Sequence, residues 1–322
     1  MELKELQQHI RTLVTLEETE SPVISAYFNL ESDERPQQAI LDNRVQLVGK
    51  SLPQAEEQDF KSAMQQTFDF VANDLDPASK GVAIFARCGT SPLFLALQFQ
   101  VPLPNMIAVG HYPNVYHLAE LEDNYDRYVA VIMNQMSATI LEVNLGSVTK
   151  EIWSSQPEQR ERVDRTWTKV QYHHHRELET DEFIKEKIKV LDRVMAVGGY
   201  KHLILAGESN MAWRFRYALP HHLSAKFLEM VDISQQQNVQ DTVTATIAAF
   251  VRKEEEESQE IVEQVLREIR IDGLAVVGTD AVREALMFGV ADVLVMPKTF
   301  DPDFHVKGEM VKLAAQDGCK VE

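Results

Sequence analysis

Gly273-Leu-Ala-Val-Val-Gly-Thr-Asp-Ala-Val-Arg-Glu-Ala-Leu-Met-Phe-Gly-Val-Ala-Asp-Val-Leu-Val-Met296 is the stretch whose reading decides the fold. Gly273–Gly278 encloses an apolar run of strand type. Asp280–Phe288 carries apolar residues at helical spacing and stops at Gly289. Asp292–Met296 reads as a second strand. Strand, helix and strand in one short stretch make a βαβ-like unit, with the helix buried on its sheet.

The same alternation extends towards the N-terminus. The pattern predicts a long helix over Val243–Arg270, whose Glu254–Glu257 run is a solvated face. Before it, β-type runs at Tyr128–Asn134, Ala138–Leu145 and Val148–Trp153 form a meander, separated by Gln135–Ser137 and Gly146. Phe183, Ile184, Ile188, Leu191 and Val194 then recur at helical spacing, with Asp181 and Glu182 at the start and Lys185, Lys187, Lys189 and Arg193 further along, the order the macrodipole favours. Gly198-Gly199 end that helix. A strand, His202–Ala206, feeds another helix from about Asn210. Meander, helix, strand, helix suggests an RNase-H-like α/β domain. The first part also reads as α/β: a helix over Leu3–Val14, a strand over Val23–Leu30, a helix over Ala55–Asn73, and strands Gly81–Arg87 and Pro92–Phe99. The expected organisation is an N-terminal α/β domain (1–123), an RNase-H-like middle domain (124–232) and a third α/β domain (233–322).

With 322 residues, 44% of them hydrophobic, the chain is long enough for two or three domains. No apolar run approaches a membrane span, and Met1-Glu-Leu-Lys-Glu-Leu is a charged amphipathic start, not a secretory signal. Cys88 and Cys319 show no metal or redox spacing and read as reduced thiols of a cytoplasmic protein. The net charge of −18 is unevenly spread. Residues 1–123 hold 8 basic and 18 acidic side chains, 124–232 hold 15 and 15, and 233–322 hold 9 and 17. Six of the ten histidines fall in the neutral middle part. Contact with phosphate is therefore expected there, since counterion release needs clustered Lys and Arg.

The middle part contains Arg165-Thr-Trp-Thr-Lys-Val-Gln-Tyr-His-His-His-Arg176, an acid-free stretch read as a loop. Arg165, Lys169 and Arg176 attract phosphate, while Trp167 and Tyr172 offer rings to unpaired bases and Gln171, His173, His174 and His175 offer polar contacts. The three histidines also raise metal binding, against which stands the divergence of consecutive side chains. Trp213-Arg-Phe-Arg-Tyr217 with His221-His222 is a second basic-aromatic stretch, for which core packing is the expected use of the rings. Tyr128–Asn134 contains no carboxylate, which argues against a metal-dependent nuclease. Dinucleotide, Walker and nucleophile-elbow patterns are absent. No metal, cofactor or catalytic residue is expected.

The Gly273–Met296 segment resembles the third domain of class-one release factors and of Pelota, at Val277, Gly278, Val282, Ala285, Leu286, Gly289, Val293, Leu294 and Val295. Ser21–Leu30 and the Tyr128–Asn134, Ala138–Val143 pair resemble the opening strands of the first and middle domains of the bacterial archaeo-eukaryotic release-factor-like family. The resemblance implies a three-domain, release-factor-like α/β chain, with a third domain like that of kink-turn-RNA-binding proteins, and a ribosomal partner. It breaks at the catalytic tip. No glycine occurs between Gly146 and Gly198, so the family's Gly-Gly-Gln cannot form, and Asn-Ile-Lys-Ser is missing from residues 1–123. The sequence ends at Cys319-Lys-Val-Glu322, where the family's third domain begins another strand; either it is cut short or the sheet is smaller. The expectation is a non-catalytic, cytoplasmic, ribosome-associated factor of the A-site occupancy, rescue or hibernation type. It would contact ribosomal RNA through residues 165–176 and a protein through the acidic third domain. A hydrolase using His173–His175 and an acidic protein-interaction scaffold are the alternatives.

Overall fold

The computed structural model describes residues 2–32, 49, 52–133, 137–155, 169–232, 239–297 and 304–322. They group into two compact units, residues 1–124 with 256–322, and residues 125–255. The expected three-part division follows the chain, whereas these units follow space.

The first unit contains α1 (Leu3–Val14), β1 (Val23–Asn29), α2 (Gln54–Asn73), β2 (Gly81–Arg87), β3 (Leu93–Phe99), β4 (Met106–Gly110) and α3 (Tyr116–Asn124). Its antiparallel sheet has the order β3-β2-β1-β4. Alternation in β1 explains the layering: Ile24, Ala26 and Phe28 pack with Phe60, Ala63 and Val71 of α2. From the opposite face the buried Tyr27 donates its hydroxyl to Asn114 O at 2.6 Å. Helix α1 is pinned by its apolar stripe, Leu3, Leu6, Ile10, Leu13 and Val14, all buried.

The second unit is built on β5 (Tyr128–Met133), β6 (Ala138–Asn144), β7 (Ser147–Ser155), β8 (His202–Gly207) and β9 (Phe227–Asp232), in the order β7-β6-β5-β8-β9. Strands β5 to β7 are antiparallel neighbours, while β8 runs parallel to β5 and to β9. The β6–β7 turn is two residues, Leu145 at φ 47° and Gly146 at φ 68°. Positive φ at both positions marks the hairpin turn whose twist matches its strands. Helices α4 (Lys169–Gly198), α5 (Ser209–Ala218) and the short α6 (His221–Ser224) cover one face. The first part of α7 (Val239–Arg270) covers the other through Val243 and Phe250. This is the RNase-H-like α/β arrangement expected of the middle part, extended by β9, which the sequence reading did not anticipate.

The C-terminal stretch of the first unit holds α8 (Thr279–Met287), β10 (Val293–Leu294), α9 (Phe304–Asp317) and β11 (Lys320–Val321). Two expectations are corrected here. Gly273–Gly278 forms no strand, and Leu274, Val276 and Val277 are exposed. A strand needs a neighbour to take its backbone hydrogen bonds, and β10 is hydrogen-bonded instead to β11 in a two-stranded parallel sheet. The last residues, which were read as stopping short of a strand, form β11.

Candidate nucleic-acid interface

The acid-free segment read as a loop is largely helix. Lys169, Gln171, Tyr172, His173, His174, His175 and Arg176 lie in the first turns of α4, whose backbone is helical over 30 residues. Arg165 and Trp167 lie outside the described residues. Asp181 and Glu182, read as the helix start, fall well inside it. The reason is local: no proline or glycine interrupts 169–197, and Lys, Gln, Arg, Glu and Leu sustain a helix even without apolar periodicity. Consecutive helical positions turn by about 100° about the axis, which spreads 173, 174 and 175 round the helix. Among the described residues no group of three or more His, Cys, Asp or Glu is placed to hold a metal.

The second half of α4 fixes the segment to the scaffold. Ile184, Ile188, Leu191 and Met195, spaced four, three and four apart, are buried against Val129, Val131, Met133, Leu203 and Leu205 of the sheet. Two surface ion pairs tie α4 to its neighbours: Arg214 Nη2 to Asp181 Oδ1 at 2.8 Å, and His222 Nε2 to Asp192 Oδ1 at 2.7 Å. At the C-terminal end Arg127 Nη2 donates to Gly198 O at 2.9 Å while its guanidinium lies 5.1 Å from the Tyr200 ring centre. A cation there complements the carbonyl end of the helix. Gly199, at φ +65°, supplies the left-handed residue that ends it. Gly198-Gly199 is thus the helix stop expected.

Tyr128 in β5 is buried, stacks on Phe250 at 4.7 Å and shares a 3.0 Å hydrogen bond with Thr246 Oγ1. Burial raises its pKa, against the pull of that hydrogen bond. The first sheet position after the unit boundary therefore serves packing. Burial also pushes up the thiols of Cys88 and Cys319, both free, which leaves them protonated and poor nucleophiles.

The second basic-aromatic stretch divides between core and surface. Phe215 of α5 is buried as expected, but Trp213 and Tyr217 are exposed and stack on each other, which corrects the core reading for those two rings. Positions 213 and 217 are four apart and share one helical face, whereas 215 lies across the helix.

Residues 113–249 match the protein family described as bacterial archaeo-eukaryotic release factor family 10. The middle of this chain is similar to that family. The match holds the whole RNase-H-like sheet, α4 and the 165–176 segment, and reaches into α7. Among solved structures, the chain is similar to the archaeal translation termination factor aRF1, at 15% identity over 100% of this chain and 91% of that one, TM-score 0.32. It is similar to archaeal Pelota in a ribosome-bound model with ABCE1, at 13% identity over 99% and 87%, TM-score 0.41. It is similar to Dom34 of S. cerevisiae, a translation termination-like factor that interacts with Hbs1, at 14% identity over 75% and 72%, TM-score 0.40. No curated protein matches the sequence. No helix among the described residues is long and apolar enough to cross a membrane.

Proposed function

We propose that this release-factor-like protein is a ribosome-associated translation factor that occupies or monitors the A site without hydrolysing peptidyl-tRNA, in rescue or hibernation. The observation that carries the reading is a coincidence in sequence. The family match covers the one part of a −18 chain whose charges balance, and that part contains the acid-free segment Arg165–Arg176. Arg165, Lys169 and Arg176 are assigned to phosphates, and Trp167, Gln171, Tyr172 and His173–His175 to bases and riboses. Loss of hydrolysis is supported by the absence of glycine from 147–197 and by the helical backbone at Gln171, which offers no flexible tip for placing a water. A protein partner is assigned to the acidic segment 233–322, by analogy with Dom34, which interacts with Hbs1.

Co-sedimentation with purified ribosomes, vacant and tRNA-filled, over a salt series tests the reading. Binding to vacant ribosomes that tRNA displaces is the expected result. Arg165→Glu, Lys169→Glu and Arg176→Glu together should weaken it and lower the slope of log K against log salt by about 2, since each phosphate contact adds roughly 0.7–0.9. Wild-type and triple-variant curves that superimpose would overturn the role of the segment, and no binding at low salt would overturn ribosome association itself.

A further inference from the structure

Helix α5 buries one face and leaves an aromatic pair on the other. Met211, Ala212 and Phe215 enter the core, while Trp213 and Tyr217 are 49% and 82% exposed. Their ring centroids are 5.8 Å apart with 30° between the planes, so the two rings present a joined π surface to solvent. Hydration of two large rings on a helix exterior is unfavourable, and a Lys or Glu there would cost the fold nothing.

The charge around the pair narrows the ligand. Residues 209–228 contain no Asp or Glu, in a chain with 50 of them, but hold Arg214, Arg216, His221, His222 and Lys226. Arg214 is paired with Asp181 and His222 with Asp192. Arg216 and Lys226 bond neutral groups instead. Arg216 Nη1 donates to Ser224 Oγ at 2.6 Å and its guanidinium lies 4.4 Å from the Phe227 ring centre. Lys226 Nζ donates to Tyr200 O at 2.7 Å. Those hydrogen bonds hold both cations in place without cancelling their charge. An aromatic pair alone would suit a proline-rich peptide equally well. Fixed cations in the same acid-free stretch as the rings, with no ion pair among the described residues, suit a polyanion whose bases carry π faces.

We propose that Trp213 and Tyr217 form a stacking platform for an unpaired base of single-stranded RNA, with Arg216 and Lys226 drawing in its phosphates. The platform is a second contact, separate in sequence from residues 165–176. Arg214 fastens it to α4 at Asp181, five residues beyond Arg176 and so about 8 Å further along that helix.

The test uses the full chain and fluorescence anisotropy at low salt with three labelled probes: decaadenylate RNA, an abasic ribose-phosphate decamer and a proline-rich decapeptide. Decaadenylate should bind best. Trp213→Ala and Tyr217→Ala should each weaken it about ten-fold, Trp213→Phe should restore most of the affinity, and the abasic decamer should be indifferent to all three. Both rings are exposed, so the variants should retain the wild-type circular dichroism. The ring dependence should persist in the Arg165/Lys169/Arg176 triple variant, which separates this contact from the ribosome reading. Equal RNA affinity in wild type and the Trp213→Ala/Tyr217→Ala double variant would overturn the proposal. So would tighter binding of the peptide than of RNA, or no RNA binding at all.

Discussion

Replacing Phe250 with alanine should detach the first part of α7 from the sheet of the second unit. Phe250 is 1% exposed. Its ring stacks on Tyr128 with 13° between planes and meets His202 edge-on at 5.7 Å. Around it lie Ala130, Leu141, Val143, Ile204 and Val243, an apolar cluster whose packing the truncation would leave incomplete. Burying such a ring contributes about 3–5 kcal/mol once the cavity is included. With a urea slope of about 2 kcal/mol/M, a loss of about 4 kcal/mol lowers the unfolding midpoint by about 2 M. The assay has a built-in reporter. All three tryptophans, Trp153, Trp167 and Trp213, fall in residues 125–255, so their emission follows this unit and not the other. Val148→Ala, at an exposed position of β7, is the control and should change stability by less than about 0.5 kcal/mol. Tyr128→Phe should cost about 1 kcal/mol by deleting the hydroxyl shared with Thr246. Combined with Phe250→Ala its effect should be less than additive, because the two rings share one contact. A Phe250→Ala midpoint within about 0.25 M of wild type, the shift the control allows at that slope, would refute the claim that α7 closes this face.

Two other substitutions test the electrostatics. The Asp123 carboxyl is pushed up to about 6, mainly by burial and next by the neighbouring Glu322 carboxylate, against the pull of Lys320. Its folded pKa lies above the unfolded value of about 3.9, so the folded state holds a proton that the unfolded state releases, and stability falls as pH rises from about 4 to 6. Asp123→Asn should remove that slope and stabilise the protein at pH 7 by on the order of 2 kcal/mol; calorimetric melts at pH 4, 5, 6 and 7 that keep the wild-type slope would contradict this. Arg127→Ala should cost about 2 kcal/mol by removing the charged hydrogen bond to Gly198 O and the cation over Tyr200. Arg127→Lys should recover part of it in the same urea assay, and an unchanged Arg127→Ala midpoint would show that the end of α4 does not need the cation.

Regular periodicity made much of the fold legible in the sequence. The largely apolar run Val23–Asn29 names a strand buried on both faces, and the spacing of Ile184, Ile188 and Leu191 names a helix that buries one face on a partner. Patterns that depend on distant partners were harder to read. Leu274–Val277 has the composition of a buried strand, yet composition cannot supply a neighbour, and none pairs with it among the described residues. Strand β9, Phe227–Asp232, joins the sheet edge only because β8 lies parallel to it. The first turns of α4 looked like a loop because Gln171–Arg176 has no apolar period. Their helical state follows from an uninterrupted backbone that continues from a well-anchored second half. At α5 the spacing of Trp213 and Tyr217 was visible, but their exposure was not, since a ring on a helix is core or surface according to which face the sheet takes.

The first unit joins residues 1–124 to residues 256–322, so its two pieces leave the ribosome far apart in time. Helix α1 is finished by partners near the other end: Gln316 Nε2 donates to Val14 O at 2.9 Å, and Lys312 Nζ meets Glu18 Oε1 at 2.6 Å. At synthesis rates of roughly 5–20 residues per second, those partners follow α1 by about 15 s to a minute. Throughout that interval the side of α1 that α9 will cover stays wet, a waiting surface for chaperones or for error. The inserted unit is continuous in the chain and can close meanwhile, so the unit synthesised between the two pieces is free to mature before the one they form together.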